Sequence, residues 1–379
     1  LGNDTANALT SKQQTPWPDY SDYQTSQENL WLSFRKNLGL NDATHQPLVR
    51  QQIAFLQKQP NYINELVRNA TPYLFYIASE VRRYGLPAEI ALIPMIESDY
   101  NPFGISKKGA VGLWQMMPNT ATELGIKINH WYDGRRNIVT ATNAALQHLK
   151  YLHSYFGDWL LALAAYDSGD GTVRAAIHYN QKHHLPTDFW SLPLPQETKH
   201  YVPKLLALAA IIKDPHRYGI SLKAIPNRPY LQPIKVSGHL DLNQLSELSA
   251  TDTKTLRLMN TGFRHWNHIP AATYWLVLPY EKLSTFTHHL AAIENKDSTL
   301  SQPVSIPHEK TSPFLLHKVQ PGESLSNIAK HYHVAISDLT KWNHIQNKND
   351  IRAGQIVRIK QPIPLTHSKS KSESKYRHS

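Results

Sequence analysis

From Asn29 to about residue 220, apolar residues recur at three- and four-residue spacing and strand signals are scarce. The stretch VRQQIAFLQKQPNYINELVRNATPYLFYIASEVRRYG shows the pattern most fully and closes on Gly85. That spacing lines one face of a helix, and glycine ends a helix readily. Pro87 then sits where a first helical turn accepts proline. A helix is expected from Pro87 to about Ser98, stopped by Asn101-Pro102. Further helices are expected at about 118–125, 137–156, 158–166, 170–181 and 197–213. The first 220 residues therefore read as a mostly α domain.

The pattern then changes. LQPIKVSGHLDLNQLSELSATDTKTLRLMNTGFRHWNHIPAATYWLVLP reads strand, helix, helix, strand. FLLHKVQPGESLSNIAKHYHVAISDLTKWNHIQNKNDIRAGQIVRIK reads the same way. Both have an entry strand ending in Lys-Val, leucine-rich helices, an Asn near the second helix end and a closing apolar strand. They form a divergent internal repeat. The expected organisation is a loose arm at 1–28, a domain at 29–222, a small module at 228–283, a linker at 296–313, a second module at 314–361 and a disordered basic tail at 362–379. The fold class is α+β multidomain, a mostly α domain followed by small βααβ modules.

With 379 residues, the chain is too long for one ordinary core. It is 41% apolar and has no run long enough to span a membrane. It lacks cysteine, which excludes disulfides, thiolate nucleophiles and thiol metal sites. The formal charge of +11 favours polyanions, but no nucleic-acid-binding module is present. A wall polymer bearing carboxylates, or an anionic membrane surface, suits that charge. Of the 21 histidines, the pairs at 183–184 and 288–289 and the His-Tyr-His at 331–333 fall in no HExxH frame and at no zinc spacing, so no metal site is expected. The Gly-Asp-Gly at 169–171 lacks the Gly-Lys-Ser/Thr of a phosphate loop.

The helical pattern breaks in IPMIESDYNPFGISKKGAVGLWQMMP. On the expected helix, Glu97 shares a face with Ile90 and Ile93. A carboxyl against apolar neighbours is desolvated and its pKa rises, as a general acid near neutral pH requires. Gly104, Gly109 and Gly112 allow a loop to approach a ligand closely. Gln115 adds an amide, and Trp114 and Tyr166 add flat faces suited to sugar rings. Taken alone, Glu97 also reads as a cap or salt-bridge partner at a helix end. Asp99 reads as a solvated helix end that projects away from Glu97, and Trp131 and Trp159 read as core.

The set Glu97-Ser98, Ser106, GAVGLWQMMP, AAYDSGDG and QETKHYVPK resembles the lytic transglycosylases of the soluble-lytic-transglycosylase family. The resemblance runs from about residue 29 to 220 and includes TDFWSLPLPQETKHYVPKLLALAAIIKD. It implies a goose-lysozyme-like α-helical fold. The stretch KVQPGESLSNIAKHY resembles a LysM module, which binds N-acetylglucosamine-containing glycans. By this resemblance Glu97 is the single catalytic acid/base. Ser106 helps hold it and the substrate, Gln115 and Met117 line the groove near the N-acetyl sugar, Tyr166 matches the tyrosine of the family's Ala-Tyr-Asn motif, and Tyr201 hydrogen-bonds near the reacting centre. The family has Asn where this chain has Asp167. The implied LysM contacts are Gly322, Glu323, Ser324, Asn347 and Ile351.

The resemblance implies a peptidoglycan lyase without cofactor or metal. Glu97 protonates the glycosidic oxygen between N-acetylmuramic acid and N-acetylglucosamine, the N-acetyl oxygen stabilises the positive centre, and Glu97 then takes the proton of the 6-hydroxyl to close a 1,6-anhydro ring. The alternatives are a glycan-binding scaffold with an inactive domain, and a lysozyme-like hydrolase that uses Asp167 as a base. The partner is peptidoglycan glycan, with no nucleic acid. The chain is expected to be a monomer in the periplasm or cell envelope. It begins at Leu1 without a signal-like segment, so an exported form would be a processed one, and outer-membrane association would need an anchor not present in this chain.

Overall fold

The computed structural model describes residues 29–238, 242–266, 272–294, 314–320, 322–332, 334–343, 345, 347, 351–352 and 354–360. The arm at 1–28, the linker at 296–313 and the tail at 362–379 lie outside the described residues. Two compact units divide at His308.

The first unit opens with α1 (Leu30–Arg35), α2 (Pro47–Gln57), α3 (Pro60–Arg83), α4 (Ile93–Glu97), α5 (Pro118–Glu123), α6 (Ile138–Phe156), α7 (Trp159–Ser168), α8 (Asp170–Lys182) and α9 (Gln196–Lys213). Local chemistry sets several ends. Asn137 and Asp158 accept from Thr140 N and Leu161 N and so cap α6 and α7. Gly157 takes a left-handed φ of 70° at the end of α6, which costs glycine little. The run Leu161–Ala165 is buried throughout, so α7 is apolar on all sides. It is central, packed against α6, α8 and α9.

The helix expected over Pro87–Ser98 is not one helix. Ala88–Leu92 forms a 3-10 turn, and α4 covers only Ile93–Glu97. Pro94 supplies the reason: it has no N–H to give Ile90, so a continuous α-helix would lose that bond. The same turn buries Glu89, whose carboxylate accepts from Gly39 N at 3.0 Å and Leu40 N at 2.9 Å. Trp131 and Trp159 are half-buried rather than core. Trp159 stacks on His153 at 4.1 Å, and Trp131 sets its edge against His130 and His265.

The rest of the first unit is β1 (Leu231–Gly238), α10 (Leu242–Ser249), α11 (Thr253–Met259), β2 (Ala272–Pro279) and α12 (Leu283–Glu294). The strands pair antiparallel from Leu231↔Pro279 to Gly238↔Ala272. The sequence reading ends this module at residue 283, yet α12 puts Phe286 into the same core as Ile234, Leu245, Leu256 and Leu276. Tyr132 of the helical body joins that core. The seam is further tied by Asp133 N to Gly262 O at 2.8 Å, Asn137 Nδ2 to Trp275 O at 2.9 Å and Thr261 Oγ1 to Arg136 O at 2.8 Å. A β-carbon on Gly262 would lie 2.9 Å from the Tyr132 ring, so only glycine permits this approach.

The second unit is β3 (Phe314–Lys318), α13 (Leu325–His331), α14 (Ile336–Asn343) and β4 (Ile356–Lys360), with β3 and β4 antiparallel. The repeat is visible in one shared device. Asn260 at the end of α11 pairs its amide with both backbone groups of Val277 on β2, at 2.7 and 2.8 Å. Asn343 at the end of α14 does the same with Arg358 on β4, at 2.6 and 2.7 Å.

Candidate active site

Glu97 is the last residue of α4. The chain reverses after it through Asp99 and Tyr100, at φ of 51° and 58°. A non-glycine residue at positive φ is strained, and two in succession need outside support. That support comes from α3 and the preceding 3-10 turn. Tyr62 Oη donates to Asp99 Oδ1 at 2.8 Å, Asn69 Nδ2 to Asp99 O at 3.0 Å, and Tyr100 Oη to Ala91 O at 2.6 Å. Asp99 is thus exposed and bonded away from Glu97, but it follows the helix rather than ending it.

Tyr201 on α9 donates its hydroxyl to Glu97 Oε1 at 2.7 Å. Burial pushes the Glu97 carboxyl up to about 7, opposed by the Tyr201 hydrogen bond and reinforced by the negative charges of Asp167 and Glu197. Lys204 pulls weakly the other way. Thr198, Tyr201 and Lys204 recur every three residues on α9 and so share one face toward Glu97 and Asp167. Of these three, the sequence reading singles out Tyr201 alone. The missed signal is the i±3 spacing around it. Lys204 also lines a cleft of about 520 Å³ with Tyr62, Met95 and Ile96, next to Glu97 in sequence.

The loop after Glu97 is folded on itself. Ser98 Oγ donates to Leu113 O at 2.9 Å, which ties the residue beside Glu97 to the far side of the loop. Ser106 Oγ accepts from Ala110 N at 3.0 Å and closes its own turn; it makes no hydrogen bond to Glu97 among the described residues. Gln115, at φ 45°, donates to Gly112 O at 2.8 Å and Gly104 O at 3.3 Å, so both contacts of its amide nitrogen hold the loop. Gly112 at φ 82° lies so near Arg135 O that a β-carbon would come within 2.2 Å. Met117 is 40% exposed and precedes α5, whereas Met116 is buried.

Trp114 is not a sugar platform. It is fully buried and donates Nε1 to Thr142 Oγ1 at 3.0 Å. Tyr166 donates to Trp114 O at 3.0 Å, and the charge of Glu97 raises its pKa further beyond what burial does. Asp167 faces Thr198, whose hydrogen bond lowers a carboxyl pKa that burial raises. The structure therefore brings Glu97, Tyr166, Asp167 and Tyr201 together, and places Ser106, Gln115 and Met117 on the adjoining loop.

In the second unit, Gly322 is exposed at φ 82° and Ser324 caps α13. The Glu323 carboxylate is committed inside the unit, accepting from Gln320 N at 2.8 Å and sitting 2.8 Å from Nε2 of buried His317. Asn347 is exposed and Ile351 half-buried. Among the described residues no group of three or more metal-ligating side chains occurs, and no helix is long and apolar enough to cross a membrane.

A helical body that desolvates one carboxyl under a tyrosine, followed along the chain by small βααβ units, defines a class. The family model for the transglycosylase SLT domain matches residues 75–186, and that for the LysM domain matches residues 317–360. Over 349 residues the chain is 31% identical to membrane-bound lytic murein transglycosylase D of Escherichia coli, spanning 91% of this chain and 76% of that protein. The chain belongs to the lytic murein transglycosylase family that includes that protein. It is also 40% identical over 168 residues to a protein of an Alteromonas strain named for tributyltin chloride resistance, covering 44% of this chain and 79% of that one. A solved structure of an inactive variant of lytic transglycosylase Slt from Pseudomonas aeruginosa aligns with 29% identity and a TM-score of 0.31, over 38% of this chain and 24% of that one; so low a score has no bearing on the fold.

Proposed function

We propose that the chain cleaves the β-1,4 bond between N-acetylmuramic acid and N-acetylglucosamine in peptidoglycan without water, leaving 1,6-anhydromuramic ends. The observation that carries this reading is Glu97 itself: a carboxyl held near pKa 7 with one oxygen 2.7 Å from Tyr201 Oη. Protonated, it gives its proton to the departing glycosidic oxygen. The substrate's N-acetyl oxygen stabilises the positive centre, so a second carboxylate is not required, unlike the two-carboxylate scheme. Ionised Glu97, steadied by the Tyr201 hydroxyl, then removes the proton of the 6-hydroxyl and the anhydro ring closes. A group with pKa near the working pH serves both steps. The LysM unit holds the enzyme on the polymer, and the site of action is the periplasm or cell envelope.

Glu97→Gln keeps the shape and removes the transferable proton. Clearing of murein sacculi should fall by a factor on the order of 100 to 10,000. Near-normal clearing by a folded variant would remove Glu97 from the mechanism.

A further inference from the structure

A cleft of about 660 Å³ opens along the seam between the helical body and the first small module, within the first compact unit. Phe103 and Ile105, 41% and 63% exposed, form part of one wall. Four guanidiniums, from Arg135, Arg136, Arg257 and Arg264, line it against the single carboxylate of Asp133. Asp133 is already shared. Arg135 donates to it from Nε at 2.9 Å and Nη2 at 2.8 Å, and Arg264 Nη2 reaches it at 3.1 Å. Arg135 also donates to Gly109 O at 3.0 Å. That trio ties the seam and is accounted for by structure.

Arg136 and Arg257 stand outside it, and Arg257 is exposed to solvent. Neither donates a side-chain hydrogen bond nor enters an ion pair among the described residues. Arg136 is half-buried, and burial disfavours its charge; Asp133 offsets this, while Arg264 and Arg135 add to it. A partly desolvated cation beside two others is costly until an anion arrives. A guanidinium fork matches a carboxylate in two parallel hydrogen bonds. The exposed apolar side chains beside it match small aliphatic groups. The wall is concave, which suits a short chain rather than the face of a bilayer. The loop bearing Phe103 and Ile105 also carries Ser106, so a ligand here borders the Glu97 loop.

We propose that this cleft binds the carboxylate-bearing peptides of the wall polymer, with Arg136 and Arg257 taking a carboxylate and Phe103 and Ile105 covering apolar peptide side chains. The inference rests on the peptidoglycan reading and adds the peptide to the glycan. Its test uses the full chain carrying Glu97→Gln, so that nothing is cleaved. A fluorescent alanyl-glutamyl stem peptide and its fully amidated form are titrated and followed by anisotropy. The free-carboxylate peptide should bind at least about tenfold more tightly, and Arg136→Gln or Arg257→Gln should each cost about tenfold, as for loss of one charge-assisted pair. Phe103→Ser, on an exposed loop, should weaken binding too and covers the case in which an arginine variant fails to fold. Equal affinity for both peptides, or no loss in folded arginine variants, would overturn the proposal. Because cleavage is not read, a wild-type chain that proves inactive leaves this inference standing, and an active chain with a peptide-blind cleft removes this inference alone.

Discussion

At Glu97, burial and one hydroxyl act in opposite directions. Burial favours the protonated acid; the Tyr201 bond favours the carboxylate. The balance predicts how activity varies with pH. A general acid must be protonated, so kcat/KM on soluble glycan should fall as pH rises through about 7. Tyr201→Phe removes a bond that favours the ionised form, so the limb should move to higher pH even as the rate drops. Asp167→Asn removes a negative charge that opposes ionisation, so the limb should move to lower pH. Two pH profiles decide it; shifts in the same direction would contradict the assigned electrostatics. Stability carries the same sign. The folded pKa is raised above the ordinary 4.5, so the contribution of Glu97 is complete below that value and is lost as pH rises through about 7. Glu97→Gln cannot ionise. It should raise the melting temperature at about pH 8, by no more than about 3 kcal/mol of stability, and change little at about pH 4.

Among the elements, those read best from sequence are those with repeated spacing and a plain stop. The helix expected at 137–156 appears as Ile138–Phe156, because its Asn137 cap and Gly157 stop are both local. The stretch at 87–98 fails because a proline at its centre removes one hydrogen bond and divides it. Trp114 fails for a different reason. Composition says that an aromatic can meet a sugar; only tertiary packing says that this one is sealed beneath α6, its indole N–H on Thr142. Glu97 is legible through its apolar neighbours, although the face it shares with Ile90 and Ile93 requires a helix longer than the one present. Thr198 and Lys204 were legible in principle, since they flank Tyr201 at helical spacing. Asn260 and Asn343 were visible as a repeated letter, while their use as a clasp on the closing strand needed coordinates. The clasp makes a prediction. Asn260→Ala leaves buried Val277 N and O unpaired, and should cost about 2–4 kcal/mol in chemical unfolding of the first unit. A loss below measurable error would mean that the strand pairing stands without it.

For the whole molecule, the two small modules have different standing. The first shares a core with the body through Tyr132 and is tied to it by Asp133, Asn137 and Thr261. The second lies in a separate compact unit. A chain ending at residue 308 should therefore melt as the parent does and still cleave short soluble glycans, while binding sacculi more weakly. A chain ending at residue 226 would expose Tyr132 and should melt lower or aggregate. If removal of the second unit abolished cleavage of soluble glycan, that unit would be structural rather than a wall anchor. One carboxyl, Glu97, is proposed to cleave the glycan without adding water, even with Asp167 nearby. The direct measurement is mass spectrometry of the products formed in heavy-oxygen water, with unlabelled muropeptides as the control for exchange. The lyase mechanism gives 1,6-anhydromuramic ends carrying no heavy oxygen; newly formed reducing ends carrying one heavy oxygen beyond the exchange control would show a hydrolase instead.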